Sequence, residues 1–570
     1  MNDIRRTMLW VVFGLSLVML WDQWQVYNGR KTTFFPRSAP VVAQSGGVAP
    51  PSSVPAAVPI ATNGAANTVG VAAATGPSDA QTIAPIKHEQ IVAQTDVVKV
   101  TFDTEGGSVV RTEFLKEVDK FDKSRNFVLL DDSKERFYEA QSGLIASAGG
   151  AALPTHKTLM TLAPGDLSLK DGSQTLELRF ESAEVGGVKL IKTYTLTRGS
   201  YAMDVKFEVI NVGATPVAPQ LYMQLVRDGN KPPGESKFYS TFTGPAIYTE
   251  AKKYQKVTFE NIDKNKVDVE KSASNGYVAM VQHYFASAWL LGDGIARDLF
   301  LRKVDTNLYS VGMITPLQEI APGGHKTLDA RFFAGPQEEK KLEALAPGLE
   351  LVKDYGWLTI LAKPLYWLLD QLHGFIGNWG WSIVALVVLL KATFYWLNAK
   401  AYASMAKMKA INPKITAMRE QLKDNPQKMQ TEMMRIYREE KVNPMGGCLP
   451  IMVQIPVFIA LYWVLLSSVE MRNAPWLGWI HDLSSPDPFY ILPIVMTLTT
   501  VLQTSLNPAP PDPMQAKMMW FMPLAFSVMF FFFPAGLVMY WITNNTLSII
   551  QQWVINTRMG VPPKFHLPKF

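Results

Sequence analysis

The sequence predicts a mixed membrane protein: an N-terminal anchor and a five-helix core, six spans in all, with a large exported antiparallel β-sandwich between them. Three observations predict this fold class. Five apolar runs lie in the last third of the 570-residue chain, a long stretch before them alternates apolar and polar residues, and one more apolar run lies near the N-terminus. An apolar fraction of 48% beside 18% charged residues fits a soluble portion joined to a membrane portion.

The N-terminal apolar run, 8–21, follows two arginines and precedes no small-residue cleavage site. We therefore expect an uncleaved anchor over 1–25 with its N-terminus in the cytoplasm, and cleavage remains the alternative. The next residues are dominated by Ala, Val, Pro, Gly, Ser and Thr, which lack the large side chains of a core. The segment 26–95 is predicted to be a disordered linker.

Period-two alternation predicts the β-sandwich over 96–354. Apolar and charged residues alternate over 203–209, and Arg198-Gly199-Ser200 joins this strand to an earlier one. A closing helix is expected from about 336 to 353. The histidines show no metal-ligand spacing, and no Gly-rich phosphate loop or nucleophile elbow occurs, so we expect no cofactor, metal or catalytic residue.

The membrane core is predicted over 377–556. Before it, the segment 355–376 has apolar residues at helical spacing interrupted by Lys363, Asp370 and His373, which is typical of an amphipathic interfacial helix. A tail over 557–570 follows the core. The five predicted spans are 379–397, 449–469, 489–506, 518–533 and 536–555.

Charge indicates the orientation of these spans. Residues 400–441 contain ten Lys or Arg against five Asp or Glu, so this segment, between the spans 379–397 and 449–469, is expected in the cytoplasm. The loop 470–488 has three acidic residues against one arginine and is expected outside. The tail then returns to the cytoplasm.

The cytoplasmic segment 398–447 is predicted to be a helical hairpin, because apolar residues recur every three or four positions on either side of Asp424-Asn425-Pro426. Two interpretations of its apolar stripe remain open: packing of the hairpin on itself, and transient contact with apolar segments of other chains. Its basic face suits anionic lipid or ribosomal RNA, without recognition of a specific nucleic acid sequence. The stripe includes Met405, Met408, Met418, Met429 and Met433.

Lys391 lies inside the predicted span 379–397, and the five apolar runs contain no Asp or Glu to pair with it. A charge there costs about 2.5–3.5 kcal/mol on insertion scales. Either the side chain extends toward the helix end near Lys400, or it is a functional charge solvated by water or a passing ligand.

The last span has a polar face, with Asn545 beside it. The residues on this face are Tyr540, Asn544, Ser548 and Gln551. Polar groups at this density are not expected to face lipid together. Hydrogen bonding between helices is one explanation. The other is a wet groove shared with Lys391 and Gln454.

A series of short motifs lies in the last third of the chain. They are GNWG at 377–380, YASMAKM at 402–408, KVNPMGGC at 441–448, QIP at 454–456, WIHDL at 479–483, DPM at 512–514 and FPAGL at 533–537. In this order they resemble the Gram-negative members of the YidC/Oxa/Alb superfamily of membrane insertases. The resemblance is dense from about 376 to 555, whereas the anchor, linker and β domain match by layout.

This resemblance implies a non-enzymatic insertase of the bacterial inner membrane, with both termini cytoplasmic and the β domain periplasmic. Five spans would enclose a hydrophilic groove open to cytoplasm and lipid. Lys391 stands where the family usually has arginine, and Trp541 where it often has a second tyrosine. The implied groove residues are Lys391, Gln454, Tyr540, Trp541, Asn544, Asn545 and Ser548.

The implied partners are nascent membrane proteins, Sec translocon components, the ribosome or signal recognition pathway at the cytoplasmic face, and membrane lipids. Two alternatives from other classes remain open. A transporter would normally have membrane-embedded acids or repeated halves. An anchored periplasmic carbohydrate enzyme would explain the β domain but not the five further spans.

Overall fold

The computed structural model describes residues 88–119, 122–146, 151–232, 241–422, 425–440, 449–507, 513–560 and 565. The predicted anchor over 1–25, most of the linker 26–95, the motif 441–448 and most of the tail 557–570 lie outside these ranges. Within them, an antiparallel β-sandwich is followed by a helical C-terminal region. This order confirms the coarse fold class predicted from the sequence.

The first sheet has the strand order β1-β2-β3-β6-β11-β18-β17-β14, with β4 beside β3 and β5 beside β6. Its strand pairings are antiparallel. Strands are numbered along the chain, and those of this sheet are β1 (Gln90–Gln94), β2 (Val98–Asp103), β3 (Ser108–Val118), β4 (Asn126–Val128), β5 (Asp131–Asp132), β6 (Phe137–Ile145), β11 (Gln220–Asp228), β14 (Ser272–Ala273), β17 (Arg297–Asp305) and β18 (Leu308–Pro316).

The second sheet has the order β13-β12-β15-β16-β19-β10-β9-β8-β7. The predicted hairpin is confirmed, because β9 and β10 pair antiparallel and Gly199 takes the positive φ of 73° that the turn requires. The strands are β7 (Met160–Leu162), β8 (Thr175–Ser182), β9 (Val188–Thr197), β10 (Ala202–Asn211), β12 (Gly244–Thr249), β13 (Lys253–Lys256), β15 (Tyr277–Gln282), β16 (Phe285–Leu291) and β19 (His325–Pro336).

Hydrogen bonds cross the apolar core between the two sheets. The Lys192 ammonium on β9 donates to the carbonyls of Gly106 at 2.6 Å and Ser142 at 2.7 Å. The side chain is fully buried, and desolvation lowers the pKa of Lys192 to about 7. Trp289 on β16 donates to the carbonyl of Gln224 on β11 at 3.2 Å. These bonds satisfy polar groups inside the core and fix how the sheets face each other.

The boundaries of the strand domain differ from the predicted ones. The range 26–95 was expected to be linker, but its last residues include strand β1. Ala93 of this strand is buried in the core, so the strand is part of the folded domain. The expected closing helix over 336–353 is divided into Glu339–Leu345 and a 3₁₀ turn, Leu349–Val352. The Pro347-Gly348 pair ends the helix, with Gly348 at a positive φ of 77°.

The helices are likewise numbered along the chain. 3₁₀ turns occur at 356–358, 469–471 and 530–532. The helices are α1 (Phe259–Asp263), α2 (Glu339–Leu345), α3 (Thr359–Ile376), α4 (Trp379–Thr393), α5 (Tyr395–Gln421), α6 (Pro426–Glu439), α7 (Leu449–Ser467), α8 (Ile491–Leu506), α9 (Pro513–Met529) and α10 (Ala535–Arg558).

Among the described residues, no helix taken singly combines the length and apolarity needed to cross a bilayer. A pair, 379–393 and 395–408, meets this test together but bends by 66°. The predicted helix over 379–397 is therefore not continuous, because Phe394 leaves helical geometry at φ −88° and ψ 7°. The apolar sequence continues through the bend, so hydropathy does not reveal it. The six spans remain a prediction.

Helices α5 and α6 form the predicted hairpin. The side chain of Asn425 accepts a bond from the amide of Lys428 and caps α6. Ile411, Ile415 and Met418 are buried where the two helices meet. Three predicted methionines, Met408, Met429 and Met433, pack against them, whereas the half-buried Met405 lies outside this cluster. Most of the stripe is thus used in packing of the hairpin on itself.

A chain of buried polar side chains lies on the face of the first sheet that points away from the second. Ser310 donates to Gln224 at 3.0 Å, Gln224 to Gln141 at 2.9 Å, and Gln141 to the Glu139 carboxyl at 2.6 Å. Burial raises the pKa of Glu139 to about 8, and nearby acidic residues add to this. Glu139 is therefore protonated in the folded protein at neutral pH.

This protonation predicts a pH-dependent stability that Glu139→Gln removes. Between pH 4.5 and about 8 the folded state retains a proton that the unfolded state releases, so the contribution of Glu139 to stability falls as pH rises. Across this window the free energy of unfolding of the variant should rise by about 2–4 kcal/mol relative to that of the native protein. Hydrogen exchange of β6 and β11, corrected for intrinsic rates, measures it. Glu177→Gln, at an exposed site, is the control. Parallel pH profiles for native protein and Glu139→Gln would contradict the assignment.

Candidate functional site

Lys391 lies in the last turn of α4 and is only 7% exposed. Its ammonium donates to Ser548 Oγ on α10 at 2.7 Å, and Ser548 in turn donates to the carbonyl of Asn544 at 2.7 Å. The side chain is thus directed toward α10. No ion pair to Lys391 occurs within the described part of the chain. Within these residues a neutral hydroxyl, and no carboxylate, satisfies the positive charge.

Neutral side chains extend this contact to two further helices. Gln551 on α10 donates to the carbonyl of Lys391 at 3.4 Å, and Asn398 on α5 lies 3.5 Å from the Gln551 oxygen. Gln454 on α7 donates to Asn398 Oδ1 at 2.7 Å. Of the predicted site residues, Lys391, Ser548 and Gln454 are joined in this way. We call these five side chains, Lys391, Ser548, Gln551, Asn398 and Gln454, the lysine network.

Two members of the lysine network, Gln551 and Asn398, were not among the implied groove residues, although Gln551 was expected on the polar face of the last span. Gln551 is three residues after Ser548, on the same face of α10. Asn398 is seven residues after Lys391, which would place both on one face of a continuous helix. The spacing was therefore available as a signal. The bend at Phe394 is what brings Asn398 toward α7 and α10, and no local pattern indicated it.

Tyr540 and Trp541 lie outside the lysine network. Their rings pack against Phe458 of α7, at centroid distances of 5.7 and 4.7 Å. Tyr540 precedes Ser548 by eight residues, or about 12 Å along a helix. These two residues therefore form an aromatic contact between α7 and α10, about two turns from the lysine.

Asn545 contacts a different helix from Ser548. Its amide donates to Thr500 at 3.0 Å and is 3.4 Å from Thr499, both on α8. Seven residues later, Gln552 donates to Asn507 at 3.2 Å. Helix α10 thus has two polar faces, one toward Lys391 and one toward α8. The sequence had suggested that Asn545 lies beside Lys391. The structure instead places Asn545 against α8.

Helix α3 has one exposed apolar face. Ile360, Trp367 and Phe375 are 88%, 62% and 90% exposed, while Tyr366 and Leu369 on the opposite face are buried. An apolar face of this kind on a surface helix is typical of an interfacial helix.

Comparison with known proteins identifies the class. Residues 90–368 match the family model described as the YidC periplasmic domain, and residues 371–561 match the one described as 60Kd inner membrane protein. The fold and site therefore belong to an inner-membrane protein with a periplasmic β domain.

The relatives identify the family. A protein of Cupriavidus necator named membrane protein insertase YidC is 57% identical over 98% of both chains, and one of Ralstonia nicotianae with the same name is 55% identical over 99% of both. The chain is also similar to a crystal structure described as an active YidC insertase. This match covers 82% of this chain and 94% of the crystallised chain, at 19% identity and a TM-score of 0.36. The chain belongs to the YidC family of membrane protein insertases.

The contact between Lys391 and Ser548 predicts the effect of Ser548→Ala. The variant removes the oxygen that accepts from the buried ammonium, which should cost about 1.5–3 kcal/mol of stability. Thermal unfolding in detergent measures this. Ser382→Ala is a matched control, because Ser382 is a buried serine on α4 whose hydroxyl donates to the carbonyl of Asn378, the N-cap residue of the same helix. Equal destabilisation by the two variants would contradict the assigned role of Ser548.

Proposed function

We propose that this protein inserts newly made membrane proteins into the bacterial inner membrane, and that Lys391 provides the charge that receives the client. One observation supports this most directly: the buried ammonium of Lys391 bonds to a hydroxyl and forms no ion pair among the described residues. A positive charge without a compensating carboxylate attracts a polar or acidic segment. The relative from Cupriavidus necator is named a membrane protein insertase, which independently supports the insertase activity.

The neutral members of the lysine network suit a transient client. Ser548, Gln551, Asn398 and Gln454 offer donors and acceptors that a polar segment can replace one by one. No charge pair has to be broken for this exchange, so its cost stays small. In this proposal the polar outer segment of a client enters a hydrated groove beside Lys391. Partition of its apolar segment into lipid then drives insertion, and no nucleotide or other cofactor is required.

The proposed topology keeps the six predicted spans, with the bend at Phe394 near the cytoplasmic end of the first core span. The exposed apolar face of α3 supports a position along the outer membrane surface for 355–376. The β domain is periplasmic, while the hairpin 398–447 and both termini are cytoplasmic. The positive balance of 400–441 supports this orientation.

The proposed partners follow from this topology. Nascent clients arrive at the cytoplasmic side from the ribosome or the signal recognition pathway, or through the Sec translocon. The basic hairpin faces these partners and anionic lipid. Because Met408, Met418, Met429 and Met433 are occupied in hairpin packing, Met405 is the one of the five predicted methionines that lies outside this cluster and could contact a client.

The test is protease protection of a short single-span client added to liposomes that contain only the purified protein. We expect insertion by the native protein and by Lys391→Arg, which keeps the charge. Lys391→Ala should reduce insertion about tenfold, and Lys391→Glu at least as much, because the attraction is lost or reversed.

Lys400→Ala is the matched control, because this exposed lysine lies nine residues further along and contacts the Trp396 ring. It should insert the client at the native rate. Equal insertion by Lys391→Arg and Lys391→Glu would overturn the role of the charge. No insertion by the native protein above empty liposomes would overturn the proposal that it acts alone.

A further inference from the structure

The segment that follows α7 packs into the hydrophobic core of the β domain. Val469, in the turn after this helix, is 4% exposed and belongs to the hydrophobic core of the β-sandwich. At the last turn of α7, the carbonyl of Leu466 accepts a hydrogen bond from His283 Nε2 at 2.8 Å. His283 lies in the turn between β15 and β16. The C-terminal end of α7 therefore packs directly on the strand domain.

A buried ion pair joins three elements at this point. Lys353, just after the turn 349–352, donates to both carboxylate oxygens of Glu470 at 3.2 and 3.1 Å. The Lys353 side chain has no exposed surface. Tyr366 of α3 donates to the same carboxylate at 2.6 Å, and the ammonium lies 3.8 Å from the Tyr366 ring centroid. The β domain, α3 and the turn after α7 thus meet on one carboxylate.

Arg472 makes a second charged contact two residues later. Its Nε lies 3.1 Å from the Glu117 carboxylate on β3, and its guanidinium donates to the carbonyl of Val118. The guanidinium also lies 5.1 and 5.3 Å from the ring centroids of Phe127 and Phe285. We call these contacts of Lys353, Glu470, Tyr366 and Arg472 the junction.

Buried charges make the junction rigid. Moving either partner away leaves a desolvated charge without compensation, so small displacements are strongly opposed. Helix α7 ends at Ser467, three residues before Glu470, and its residue Gln454 lies thirteen residues before Ser467, or about 20 Å from the junction end of the helix. A tilt of about 10° at the junction would move Gln454 by about 3 Å, enough to break its 2.7 Å bond to Asn398.

We propose that Lys353, Glu470 and Arg472 are positioning residues that fix α7 to the β domain and so keep Gln454 within the lysine network. They act through α7 and do not contact the client. The β domain is then a foundation for the insertion site as well as a surface for partners. This inference rests on the proposed function for its effect on insertion, and on geometry alone for its effect on the position of α7.

The geometric test is a distance measurement between spin labels at Arg179 on β8 and Ile455 on α7, both exposed, in a full-length protein with Cys448→Ser. The native chain should give one narrow distance distribution. Lys353→Met and Glu470→Gln should each broaden or shift it. Tyr366→Phe removes only the hydroxyl and should broaden or shift the distribution less. This milder variant keeps the test decisive if Lys353→Met or Glu470→Gln fails to fold. Lys303→Met, at an exposed ion pair within the β domain, is the control and should change nothing.

Insertion by the same variants is then measured with the liposome assay. Loss of about tenfold in Lys353→Met and Glu470→Gln, together with the altered distance, supports the proposal. An unaltered distance overturns positioning, whatever the activity. If the distance changes but insertion stays at the native rate, the junction positions α7 without any effect on insertion, and that part of the proposal is overturned. If the native protein itself inserts nothing, the proposed function fails, and the distances still decide whether the junction fixes α7.

Discussion

The hydrogen bond from the buried ammonium of Lys391 to Ser548 is the constraint on which the helical region depends. A cation removed from water needs oxygen partners, and the hydroxyl of α10 provides the nearest one at 2.7 Å. This bond sets how α4 and α10 face each other. Gln551 and Asn398 then complete a network that reaches α7, so polar contacts from four helix segments meet around one desolvated charge.

The sequence predicted those features of the fold that have a local period. Alternation at 203–209 gave β10, and the turn at Gly199 gave its hairpin with β9. The same reasoning could not find what depends on pairing across the chain. The Lys192 ammonium bonds to Gly106 and Ser142, which are 86 and 50 residues away, and nothing near Lys192 in the sequence indicates these partners. The bend at Phe394 was missed because its flanking residues are as apolar as a straight span.

At the site, sequence reasoning found the residues more readily than their partners. Ser548 and Asn545 were both expected beside Lys391, yet three residues on a helix are separated by about 60° around its axis. That angle turns Asn545 toward Thr500 on α8 while Ser548 faces α4. A polar residue on a span therefore predicts a polar contact, but the identity of the contact depends on which helix packs on that side. Only the tertiary arrangement contains that information.

The two ends of α7 show two uses of buried charge. At the junction, Lys353 and Glu470 compensate each other, so the contact is static and opposes displacement. At the lysine network, the described residues match Lys391 with neutral groups, so its field remains available to another molecule. A site that must release its client needs the second arrangement, because a permanent carboxylate would compete with every client for the ammonium. The first arrangement suits the foundation, which has to keep its geometry while clients pass.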